Sequence, residues 1–143
     1  MRVNRKMIYG AFVILILLSV GYLLLFHNVV RSNFASEATL KFFTYSGAEF
    51  TQHEIILTEE EDIAKLRGIL RGRAWRDSPS CGFVDSVSIT LSNEDRSIMF
   101  SPALDGCPLI RVNGSDRYIS ISYEQRAVID ELFKRFDFTF PEV

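Results

Sequence analysis

The chain has 143 residues, with 16 Lys and Arg against 18 Asp and Glu and a formal net charge of −2. From residue 31 onward the balance is 13 basic to 18 acidic, a formal −5, which excludes the broad basic face that nucleic-acid binding requires. Beyond the apolar N-terminal stretch and the short stalk that follows it about 105 residues remain, enough for one domain with a real core.

Met7 to Phe26, MIYGAFVILILLSVGYLLLF, carries no charge, and the run stays apolar through Val29 and Val30 after His27 and Asn28. A helix of that length matches the roughly 30 Å of a bilayer core. Arg2, Arg5 and Lys6 precede the run, and no acidic residue occurs before Glu37. The positive-inside bias then places residues 1–6 in the cytoplasm, residues 7–30 as a single transmembrane signal anchor in contact with the lipid bilayer, and the rest outside the cell. The rival reading is a cleaved signal peptide, for which the apolar region is long; the small-residue site Ser36-Glu37-Ala38 also lies well beyond its end. Gly10, Ser19 and Gly21 show no G-x-x-x-G spacing that would pair two anchors.

Residues 31–38, RSNFASEA, read as a polar stalk, and residues 39–143 as an extracytoplasmic α+β domain. Thr39 to Ser46 alternates as a strand, Ser46-Gly47-Ala48 supplies a turn, and Phe50 to Leu57 returns as a hairpin partner. Thr58 and Glu61 match a capping box that opens a helix from Glu59 to about Arg71, with Ile63, Leu66, Leu70 and Ala74 on its buried face. Ser86 to Leu91 alternates cleanly, and Ser97 to Ser101 is its partner across Asn93-Glu94-Asp95. Leu109 to Val112 and Tyr118 to Ile121 form a further hairpin across Asn113-Gly114-Ser115-Asp116. Ser122 and Gln125 make a second capping box, and the helix it opens is expected to bury Val128, Ile129, Leu132, Phe133 and Phe136. Phe138 and Phe140 alternate with Asp137 and Thr139, which extends to a short closing strand. Antiparallel hairpins with two helices on one face make an α+β domain.

Cys81 and Cys107, each in turn-like sequence, read as a disulfide in an oxidising compartment. Competing readings are a zinc half-site with His53 or a catalytic thiol; no C-x-x-C or H-x₃-H spacing supports the first. Arg71-Gly72-Arg73-Ala74-Trp75-Arg76 is the one basic cluster outside the N-terminal flank. Arg73 and Arg76 beside Trp75 suit anionic groups, although cations also gather at a helix C-terminus and Trp75 can plug a core edge. Asp105-Gly106, next to Cys107, is either a ligand-facing loop or a plain turn. Asn93-Glu94-Asp95 has too few oxygen ligands for calcium, and Asn113-Gly114-Ser115 fits a glycosylation acceptor as well as a hairpin turn. No nucleophile-elbow, phosphate-loop or dinucleotide motif occurs, and neither cofactor nor metal is assigned.

These observations favour a non-enzymatic, membrane-anchored extracytoplasmic module for a protein or cell-envelope ligand, with Arg73, Trp75, Arg76 and Asp105 as candidate contacts. The alternatives are a thiol-dependent enzyme using Cys81 or Cys107 with His53, and a structural tether or assembly subunit.

Overall fold

Alternating apolar residues build the sheet from which the rest of the domain hangs. The computed structural model describes residues 5–26, 28–46 and 49–141. Its elements are α1 (Arg5–Phe26), β1 (Val29–Val30), β2 (Glu37–Ser46), β3 (Glu49–Leu57), α2 (Glu60–Ile69), β4 (Gly72–Arg73), β5 (Trp75–Arg76), β6 (Ser88–Ser92), β7 (Ser97–Pro102), β8 (Leu109–Val112), β9 (Arg117–Ser120) and α3 (Tyr123–Lys134). Seven strands form one sheet in the order β3-β2-β6-β7-β8-β9-β5, and β1 pairs β4 in a separate two-stranded ladder. Every pairing is antiparallel. The domain is α+β.

Register explains the core. Ala38, Leu40 and Phe42 alternate onto one face of β2, where they meet Ile89 and Leu91 of β6, Phe100 of β7, Ile110 of β8 and Ile119 of β9. Ile63, Leu66 and Ile69 of α2 and Ile129, Leu132 and Phe133 of α3 close over that face. Each such side chain taken out of water contributes about 1.5–3 kcal/mol. Phe42, Phe133, Phe138 and Phe140 extend the cluster as a series of edge-to-face and tilted ring pairs with centroids 5.0–6.0 Å apart.

Several expectations are corrected. Among the described residues no helix is long and apolar enough to cross a membrane, so the transmembrane anchor expected over residues 7–30 does not stand. Val29 and Val30 belong instead to the domain, paired with Arg73 and Gly72. Within residues 31–38, Ser32 and Ala35 are buried; the Ser32 hydroxyl donates to the Arg67 carbonyl at 2.6 Å, and Arg67 Nη1 donates to the Ala35 carbonyl at 3.0 Å. The basic flank before Arg5 and the turn positions 47 and 48 lie outside the described residues.

The helix α2 is capped by Glu59 without a side-chain hydrogen bond, not by Thr58. The amides of Asp62 and Ile63 both reach the Glu59 carbonyl, which starts the helix one residue later than a Thr58 box would. It ends at Ile69 because Gly72, at φ +128°, turns the chain into β4. Val128, expected inside, is exposed, whereas Arg126 is buried. Among the described residues the tail forms no strand. Asp137 at φ +63° reverses the chain, with the Asp137 amide on the Lys134 carbonyl and the Phe138 amide on the Phe133 carbonyl. This is the Schellman arrangement, and it folds Phe138 back onto Phe133.

Candidate functional site

Cys81 and Cys107 are joined in a disulfide, with Cα atoms 6.2 Å apart. Backbone and carboxylate bonds complete the corner. Gly82 donates its amide to Asp105 Oδ2 at 3.0 Å, Cys107 donates to Asp105 Oδ1 at 3.4 Å, and the Leu104 amide reaches the Gly82 carbonyl at 2.7 Å. Gly106 at φ +72° permits the turn between them. Asp105 therefore braces its own loop. Ligand atoms of Cys81, Asp105 and Cys107 lie within 4.8 Å of one another, but sulfurs bonded to each other offer no thiolate to a metal.

The thiol-enzyme alternative loses its nucleophile in the same way, since both sulfurs of that pair are bonded to each other. His53 has other neighbours: it stacks on Phe42 at 5.1 Å, and its Nε2 shares a 2.8 Å hydrogen bond with the Thr44 hydroxyl. Asn113, the glycosylation candidate, donates its side-chain amide to Asp85 at 3.1 Å and to the Met99 sulfur at 3.0 Å.

The four candidate contacts are not brought to one surface. Arg73 is exposed in β4 opposite Val29. Trp75 is half-buried in β5 opposite Tyr118, and Arg76 bonds Asp116 at 3.3 Å. That pair is well exposed and contributes under about 1 kcal/mol. Asp105 lies at the disulfide corner, where it lines a cleft of about 640 Å³ with Arg126, Asp130, Lys134 and Phe140; neither Arg73 nor Trp75 lines it.

Two hollows flank α3. In the first, Arg126 is 3% exposed and donates through Nη1 to the carbonyls of Ala103 (2.7 Å) and Cys107 (3.0 Å), and through Nε to Asp130 (2.7 Å). Phe140 covers its guanidinium at 4.5 Å. This residue fastens α3 and the tail to the disulfide corner. The second hollow, of about 450 Å³, lies between α2 and α3. Buried Leu66 and Leu132 and exposed Ala127 and Val128 give it an apolar lining, and the buried Asp62 with the exposed Lys65, Glu131 and Arg135 adds opposed charges. Arg135 bonds Asp62 at 2.5 Å. An apolar lining with opposed charges accepts an apolar side chain and orients the polar backbone beside it.

The groove is not legible in the sequence because Val128 shares the helical spacing of Ile129 and Leu132, which places it in the core with them. No protein-family model, curated protein or solved structure matches this chain.

Proposed function

We propose that this protein is a non-enzymatic extracytoplasmic binding module whose α2–α3 groove takes an apolar side chain of a protein partner. The observation that carries this reading is Val128, exposed in the lining of a groove that Leu66, Ala127 and Leu132 also line. An apolar hollow edged by charges offers the side chain of a partner a place to leave water, with polar groups beside it to orient the partner. The disulfide supports an oxidising compartment, where such bonds persist.

A photo-crosslinking residue at position 128 of the full chain, in its native host, tests the reading. It should yield one discrete protein adduct that disappears when Ala127→Arg fills the groove, while circular dichroism stays unchanged. Labelling no stronger than from a probe at the exposed turn residue Glu94, or an adduct that survives Ala127→Arg, overturns it.

A further inference from the structure

The two edges of the seven-stranded sheet differ. One is β5, two residues long; the other is β3, nine residues from Glu49 to Leu57, which among the described residues pairs only with β2, in an unbroken register. Sheet edges are commonly guarded by Lys, Pro or a bulge. The β3 sequence EFTQHEIIL has neither Lys nor Pro, and its nine pairs with β2 contain no bulge. Phe50 is 52% exposed and Ile56 is 67% exposed on it.

We propose that β3 pairs antiparallel with β3 of a second copy, about a twofold axis through His53, so that two sheets join edge to edge. The pattern of the strand argues for this occupant and this register. Directly opposed residues share a face of a sheet. Two copies that keep their helices on the same side must therefore place the axis through a residue, not between two. With the axis at Gln52, Phe50 would face Glu54. With the axis at Glu54, that carboxylate would face its own copy. At His53, Phe50 faces Ile56 of the second copy and Gln52 faces Glu54, each twice by symmetry, the His53 imidazole faces its own copy, and no carboxylates oppose one another. Glu49 then faces Leu57, and Thr51 faces Ile55. The patch is self-complementary, as an isologous interface requires.

Sedimentation velocity of the full chain tests the pairing. The wild type should show a concentration-dependent dimer. Gln52→Glu should weaken association by about tenfold, because two Glu pairs become opposed, and Gln52→Lys should strengthen it by a similar factor. Position 52 is exposed, so neither change should disturb the fold. The register has its own readout: Gln52→Cys mixed with Glu54→Cys should form an intermolecular disulfide on mild oxidation, well above the yield of either variant alone. A strictly monomeric wild type, a dimer indifferent to both charge changes, or single variants that crosslink as well as the mixture would overturn the proposal.

Discussion

The Arg126 guanidinium donates through Nη1 to the Cys107 carbonyl at 3.0 Å, and so joins α3 to the disulfide corner. The same nitrogen holds the Ala103 carbonyl, and Phe140 of the tail lies across the group. One side chain thus ties three segments that are distant in sequence. Arg126→Met would keep much of the buried stem but orphan both carbonyls. A loss of about 2–4 kcal/mol follows, because buried acceptors left unpaired carry their full desolvation cost. Urea unfolding followed by fluorescence measures it; a loss below the error of the fit would mean that the carbonyls find water.

The Cys81–Cys107 bridge closes a loop 26 positions long. Replacing both residues by Ser should cost on the order of 2–4 kcal/mol through the freed unfolded chain. Because the Gly82–Asp105 and Leu104–Gly82 bonds remain, the corner should stay assembled at low denaturant. The midpoint should fall to that of the wild type under reductant. A wild type whose midpoint ignores reductant would contradict this.

Local signals carried most of the fold. The hairpins β2–β3, β6–β7 and β8–β9 were readable because strand alternation and turn residues sit within a few positions of each other. The disulfide was readable from an even count of cysteines in turn sequence. What could not be read depends on distant neighbours. The two-residue ladders β1–β4 and β5–β9 are too short to show any period, so Arg73, Trp75 and Arg76 looked like a loose basic cluster when they are strand residues. Whether Val128 or Arg126 faces inward is decided by the loop at Ala103–Cys107, which offers carbonyls to an arginine. Helical spacing alone favours the valine.

The second capping box is present as read: the Gln125 amide donates to the Ser122 hydroxyl at 3.2 Å, and the Ser122 amide to Gln125 Oε1 at 2.9 Å. Ser122→Ala should cost about 1 kcal/mol. The Ser122 hydroxyl, with the residue's own backbone amide, also holds the Glu124 carboxyl below its usual value. A carboxylate with a lowered pKa stabilises the fold above its unfolded pKa, and that contribution fades as pH falls through the lower folded value. In Ser122→Ala the Glu124 titration, followed by NMR, should move back up toward the ordinary range. An unmoved titration would show that the backbone alone sets it.

Asp137 occupies the left-handed position of the Schellman turn that ends α3, a place usually taken by glycine. Its backbone crowding is tolerable for Asp but not free. Asp137→Gly should raise stability by about 0.5–1 kcal/mol, the relief of strain exceeding the added freedom of the unfolded chain. Asp137→Val should lower it by about 1–2 kcal/mol, since a β-branched residue resists that conformation. The loss should appear first in the tail. Phe138, packed on Phe133 and Phe42 at 5.6 and 5.5 Å, would swing out with the turn, and amide exchange at Phe138 would quicken before exchange in β2. If Asp137→Val leaves the tail as protected as β2, the turn does not hold Phe138 in place.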